Sequence, residues 1–263
     1  MQKLNAKLDE IKQADNPGFM MHIVAGFPDL QSSARIAKKI LDTGADFLEI
    51  QIPFSDPVAD GPVIASANEI ALSGGATVKK SLDMIEQIAG SSQKPILIMT
   101  YFNIIHKYGV EDFCKKAQMI GVQGLIVPDY PFDEDTGNQL LKFAGQYDLA
   151  FIQVVAANTR KSRIKAIART SSGFVYCMAR TGITGTKTTI SSQTVEYLET
   201  VRRNSVLPIA VGFGLSEKSQ IKMLKPYADV MVVGSALIRE YANKPIEAGL
   251  DAVSDFMQGL TNP

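Results

Sequence analysis

Cysteine and histidine are scarce in this 263-residue chain, with two of each. Cys114 and Cys177 stand apart, outside any CxxC or Cys/His cluster. That excludes a disulfide framework and a cysteine-based metal site, and it fits reduced thiols in a cytosolic protein. His22 and His106 are too few for a histidine-based metal site, and no HExxH occurs. Net charge is missing too: 27 Lys and Arg balance 27 Asp and Glu. No field of one sign therefore draws nucleic acid or an acidic membrane. No apolar run is long enough to span a bilayer. The first residues are charged and amphipathic, which argues against a secretory signal. No low-complexity tract or Pro/Gly/Ser-rich linker divides the chain, so one domain over residues 1–263 is expected.

What is present is an ordinary globular balance, 46% hydrophobic and 21% charged, arranged as a strand-then-helix alternation. Eight short apolar runs read as strands: residues 19–24, 47–52, 96–99, 124–127, 150–155, 174–178, 208–211 and 230–233. Most are apolar throughout, as strands covered on both faces of a parallel sheet should be. Between them, apolar residues recur three and four apart over 32–43, 78–89, 110–120, 135–147, 160–168, 194–203 and 217–224, the pattern of helices with one buried stripe. Eight such units predict an α/β fold, a closed (β/α)8 TIM barrel. A doubly wound open sheet is the runner-up, but strand one runs into Ala25-Gly26-Phe27-Pro28 rather than a GxGxxG turn. Two further helices are expected, over 2–14 at the barrel's N-terminal end and over 63–72 after strand two.

The richest stretch is 46–62. Glu49 sits inside an apolar strand, where ionised side chains are almost never found without a partner or a task. Asp60 follows on a loop stiffened by Pro53, Pro57, Gly61 and Pro62. A carboxylate in a strand with a second on the loop above it suits acid–base chemistry on a small molecule. The competing reading is a core glutamate neutralised by a lysine or arginine, with Asp60 as a turn residue.

Barrel enzymes carry their chemistry at the C-terminal ends of strands. Those positions hold Met99 and Tyr101 after strand three, Val127 and Asp129 after strand four, and Tyr176 on strand six. Beyond Tyr176 runs Arg180-Thr181-Gly182-Ile183-Thr184-Gly185-Thr186. Gly212-Phe213-Gly214 and Gly234-Ser235 end strands seven and eight, where backbone amides can approach a phosphate closely and an expected helix beginning at Ser235 aims its positive end at the same point. A small phosphorylated compound with an apolar part is the expected substrate. Lys94 precedes strand three, the wrong end for a Schiff base, and no GxSxG elbow is present. Acid–base chemistry with no cofactor and no metal remains.

In this context the chain resembles the tryptophan synthase α-subunit family over nearly its whole length. The motif at 48–62, Leu-Glu-Ile-Gln-Ile-Pro-Phe-Ser-Asp-Pro-Val-Ala-Asp-Gly-Pro, looks like the family's signature around its catalytic glutamate. Ala25-Gly26-Phe27-Pro28-Asp29, Tyr176 with the 180–185 loop, Gly212-Phe213-Gly214-Leu215-Ser216 and Gly234-Ser235-Ala236 support it in order and spacing. The resemblance implies retro-aldol cleavage of indole-3-glycerol phosphate to indole and glyceraldehyde 3-phosphate, with indole passed to a pyridoxal-phosphate β-subunit in an α2β2 complex. It implies that Glu49 shuttles the protons, that Asp60 accepts the indole N–H and that Tyr176 orients the group. Thr184 would reach Asp60 on loop closure, and Gly185, Phe213, Gly214, Gly234 and Ser235 would hold the phosphate. His22, Met99, Tyr101, Val127 and Ile152 or Val154 would surround the indole. Asp56, Phe102, Asn103 and Asp129, with Pro131 and Phe132, cluster at the site-bearing end and are the expected β-facing surface.

Two residues depart from the family pattern. Gln51 stands where glycine is usual, on the same side of its strand as Glu49. His22 replaces an aromatic or aliphatic residue. They leave open an α-like activator of low lyase activity, while a different phosphate-binding barrel would want a catalytic lysine or metal-bound histidines.

Overall fold

The computed structural model describes residues 1–130, 138–178, 190–212 and 214–261. The expected sites Thr184, Gly185 and Phe213, the rest of the 180–186 loop, Pro131 and Phe132 lie outside those residues.

Each strand is parallel to its neighbours. In chain order the strands are β1 (Gly18–Val24), β2 (Phe47–Gln51), β3 (Ile96–Met99), β4 (Gly124–Ile126), β5 (Ala150–Ile152), β6 (Val154–Ala156), β7 (Val175–Met178), β8 (Ile209–Gly212) and β9 (Val230–Val233). Their spatial order is β5-β4-β3-β2-β1-β9-β8-β7-β6. The two ends of that series, β5 and β6, are separated in sequence by Gln153 alone. The expected fifth strand, 150–155, is thus corrected to two pieces. Ala150 and Ile152 pair with Gly124 and Ile126, whereas Val154 and Ala156 pair with Tyr176 and Met178. The chain changes partner at Gln153, whose buried amide donates to Thr170 Oγ1 over 2.6 Å. This hand-over makes the sheet a nearly closed TIM barrel.

Period-two geometry sorts the strand residues into two cores. On β1, Met21 and Ile23 face the helical layer while Met20 faces the barrel axis; on β2, Leu48 and Ile50 face out and Phe47 faces in. The helices packed outside begin with side-chain caps where the sequence supplies them. Asp29 accepts from Ser32 N over 2.8 Å at the start of α2 (Leu30–Thr43), and Gly44, at φ +119°, ends that helix in a conformation suited to glycine. The expected helix over 63–72 is α3 (Pro62–Ser73), opening on a proline at its first position. Next come α4 (Val78–Ser91), α5 (Phe102–Tyr108) and α6 (Val110–Met119), then α7 (Asn138–Gln146), α8 (Lys161–Thr170) and α9 (Ser192–Asn204). The chain then forms α10 (Lys218–Leu224), α11 (Ser235–Tyr241) and α12 (Ile246–Thr261). Two of these, α5 and α12, are absent from the sequence expectation. Val253, Met257 and Leu260 are the buried stripe that would have revealed α12.

The N-terminal helix α1 (Gln2–Gln13) closes the bottom of the barrel. Leu4, Leu8 and Ile11 join Met20, Phe47, Ala150 and Phe174 in the interior cluster. Ile11 packs so closely on the first strand that a Cβ at Gly18 would sit 2.2 Å from its Cδ1. Among the described residues no helix is long and apolar enough to cross a membrane.

Candidate active site

At the opposite end of the barrel, the inward side chains surround a cavity. Glu49 and Asp60 line it together with His22, Met99 and Tyr176. Gly212, Gly214, Gly234 and Ser235 line it as well. The register explains the first grouping: His22 of β1 is level with Glu49 of β2, and Val24 with Gln51. Neighbours in register on parallel strands point to the same face, so His22 and Glu49 meet inside the barrel.

Glu49 is buried to 1% exposure, yet its partner is neither lysine nor arginine. His22 Nδ1 lies 3.2 Å from Glu49 Oε1, with both side chains buried. The competing reading named a lysine or arginine beside Glu49; among the described residues the basic group beside it is an imidazole. An imidazole differs from a lysine or arginine here because it can itself give up its proton near neutral pH. Burial alone would lower the His22 pKa, but the charge and hydrogen bonding of Glu49, helped by Asp60 and Gln51, leave it above the usual histidine value. Glu49 Oε2 and His22 Nε2 are buried with no hydrogen-bond partner among the described residues.

Asp60 is held differently. Gln51 Nε2 donates to its Oδ2 over 2.6 Å, and Asn68 Nδ2 stands 3.4 Å from the same oxygen. Burial pushes the Asp60 carboxyl above its ordinary value, against the opposing effects of the Gln51 bond and the His22 charge. Asn68 was not foreseen. It sits on the buried stripe of α3 with Ile64, Ala67 and Ala71, and its Oδ1 also accepts from Phe54 N over 2.9 Å. A polar residue on an apolar helix stripe is the signal that could have found it.

Tyr176 reaches the cavity from β7, and a Cβ at Gly212 would approach its hydroxyl oxygen to 2.7 Å. The missing side chain at Gly212 is what gives the phenol its room. Burial first, then the Glu49 and Asp60 charges, push the Tyr176 hydroxyl well up, so it is a neutral hydrogen-bond donor. Gly214 has φ +65°, a left-handed backbone that suits glycine.

Three expected indole contacts are corrected. Val127 faces the helical layer, because it shares the outward parity of Leu125; Ile126 lines the cavity instead. Ile152 lies in the interior cluster, and Val154, beyond the Gln153 break, lines the cavity. Tyr101 is buried in that same cluster, stacked on Phe54 at 5.1 Å, and its hydroxyl accepts from Ala59 N over 3.1 Å. It supports the Asp60 loop from behind.

Of the expected β-facing residues, Asp56, Asn103 and Asp129 are exposed and Phe102 is half-buried. Asp129 Oδ1 accepts from Phe102 N over 2.8 Å, tying the end of β4 to the start of α5. Val58, on the same loop as Asp56, is 77% exposed. Among the described residues no group of three His, Cys, Asp or Glu could hold a metal ion.

A family profile described as "Tryptophan synthase alpha chain" matches residues 8–261. A protein of that name from Desulforapulum autotrophicum is 41% identical over 257 residues, covering 98% of this chain and 99% of its own length. One from Syntrophotalea carbinolica is 42% identical over 241 residues, covering 92% and 93%. Among solved structures, Mycobacterium tuberculosis tryptophan synthase aligns at TM-score 0.88 and 30% identity over 99% of this chain and 98% of that one. A tryptophan synthase alpha-subunit from Pyrococcus furiosus aligns at 0.86 and 30% identity over 94% and 98%.

Proposed function

The chain belongs to the tryptophan synthase alpha chain family, and from that premise we propose how its own side chains serve the family's reaction. The alpha subunit is a lyase that cleaves indole-3-glycerol phosphate, and it works with a beta chain. Nothing in the matches favours the alternative of a weakly active activator.

Cleavage needs a proton on the ring carbon that bears the glycerol chain and the loss of one from the hydroxyl on the adjacent chain carbon. The electrons of the broken carbon–carbon bond then return to the ring as indole, and the hydroxyl carbon becomes the aldehyde of glyceraldehyde 3-phosphate. Glu49 gives the first proton and takes the second, so it ends as it began. Asp60 accepts the indole N–H and stabilises the positive charge that develops on the ring. The neutral Tyr176 hydroxyl donates to Glu49 or to the substrate. Met99, Ile126 and Val154 supply the apolar surface against the indole.

The phosphate is bound in the same cavity by backbone amides around Gly214 and Gly234 and by the Ser235 hydroxyl, with Gly185 and Phe213 assigned there by sequence order. Thr184 joins Asp60 through the loop after β7. The beta chain docks on the rim that carries Asp56, Val58, Phe102, Asn103 and Asp129. An exposed valine beside the site mouth is the kind of apolar patch that a partner covers.

The observation that carries this reading is the pair of buried carboxylates lining one cavity, Glu49 keeping an oxygen without a partner among the described residues. The test is indole release from indole-3-glycerol phosphate by the full chain with a beta partner. No release above the buffer rate would end the reading.

A further inference from the structure

Besides the two carboxylates, the described lining of the cavity includes a histidine, His22, and the reaction above gives it no part. Its imidazole is fixed from two sides. Nδ1 stands 3.2 Å from Glu49 Oε1, and the ring backs onto β9, where a Cβ at Gly234 would lie 3.4–3.5 Å from His22 Cβ, Cγ and Cδ2. Any side chain at position 234 would crowd the ring. The ionisable groups that face it are Glu49 and Asp60 from β2 and the loop after it, and Tyr176 from β7. On the β9 side, Val232, Gly234 and Ser235 line the cavity and none titrates near neutral pH.

A carboxyl group rotates about a broad, roughly two-fold terminal torsion, so either oxygen of an unanchored glutamate can face a substrate. Here the oxygens differ: Oε1 has His22, and Oε2 has no partner among the described residues. We infer that His22 is a positioning residue for Glu49, holding Oε1 so that Oε2 is the atom that exchanges protons with the substrate. The inference rests on Glu49 being the acid–base of the proposed reaction.

Histidine suits this task better than a permanent cation. A buried lysine or arginine would hold Glu49 as an anion and oppose the protonated state that the first step requires. An imidazole shares one proton with the carboxylate and can follow it through the cycle. The raised His22 pKa agrees with such a shared proton, because burial opposes the charged ring and the carboxylates outweigh it.

The chain has two histidines, and the other, His106, is exposed. Nitrogen-detected NMR of the histidine-labelled full chain therefore resolves His22 against an internal standard. The His22 midpoint should lie above the ordinary histidine value of 6.5, and in Glu49→Gln it should fall by about one pH unit or more. An unmoved midpoint overturns the pairing.

Kinetics with the beta partner present supply the functional arm. His22→Phe should lower kcat by about tenfold to a hundredfold, with KM within about threefold. His22→Asn, whose amide nitrogen sits near the place of Nδ1, should recover most of kcat while flattening the pH inflection that the imidazole contributes. If Phe and Asn variants both match the unaltered protein in kcat and pH profile, the inference fails. Absence of indole release by the unaltered protein would instead remove the proposed function. The NMR result is independent of turnover, and of whether the Phe variant folds.

Discussion

Gln51 and Asp60 are joined by a 2.6 Å hydrogen bond across the loop that leaves the end of β2 and returns over it. The bond ties the carboxylate on the loop to the strand that carries the other. Gln51 is fully buried, and its Nε2 also reaches Asn68 Oδ1 at 3.2 Å. Gln51 is thereby built into the support of the site.

Replacing Gln51 with glycine removes a donor from Asp60 while the burial remains. Burial already raises the Asp60 carboxyl, and the Gln51 bond opposes that rise. In Gln51→Gly the acid limb of the kcat–pH profile should move to higher pH, since Asp60 must be ionised to serve the ring nitrogen. Leaving a buried acceptor short of a partner should also lower stability by about 1–3 kcal/mol. A superimposable acid limb would show that the bond does not tune Asp60.

Glu49→Gln should reduce indole release by about a hundredfold to ten-thousandfold, the range associated with a general acid–base. Affinity for glycerol 3-phosphate, measured calorimetrically, should be unchanged, because the proposed phosphate contacts are backbone amides and the Ser235 hydroxyl, not the Glu49 carboxyl. Substantial turnover in this variant would refute the role.

Asp60→Asn keeps an oxygen for Gln51 to bond but removes the charge that faces the ring. The barrier should rise by about 3–4 kcal/mol, as when a charge-stabilising group is lost from an active site. The effect should fall on kcat. A change confined to KM would point to binding alone.

The His22 pair has a signature in stability as well. A histidine pKa raised by folding adds stability that is fully present below the unfolded value of 6.5 and is lost as pH rises through the higher folded value. The melting temperature of the unaltered protein relative to His22→Phe should therefore be greater at about pH 6 than at about pH 9. A pH-independent difference would mean that the ring contributes packing only.

Val58→Asp places a charge on the exposed valine beside Asp56. Stimulation by the beta partner should need about tenfold more of that partner or greater, as expected when an apolar contact is replaced by a desolvated charge. Indole release by the isolated chain should change little. Equal stimulation would remove this loop from the docking surface.

The barrel was legible because its strands are uniformly apolar and its helices carry clean stripes, and the 48–62 motif located both carboxylates. Other features depend on where the chain bends. No residue pattern in 150–155 announces that Gln153 is a partner change, and the parity error at Val127 came from running β4 one residue too far as an inward position. The His22–Glu49 pair was hidden because register between strands is decided by pairing across the sheet, which a linear reading does not reveal. Asn68 was visible as a polar interruption on an apolar stripe but needed a neighbour to give it meaning.

The α1 plug has a last consequence. With Leu4, Leu8, Ile11, Phe47 and Phe174 packed into the floor, the described residues close the chamber at that end, and its acids lie toward the other. Traffic barred by that floor runs through the opposite rim, so a beta chain docked as proposed would stand guard over it.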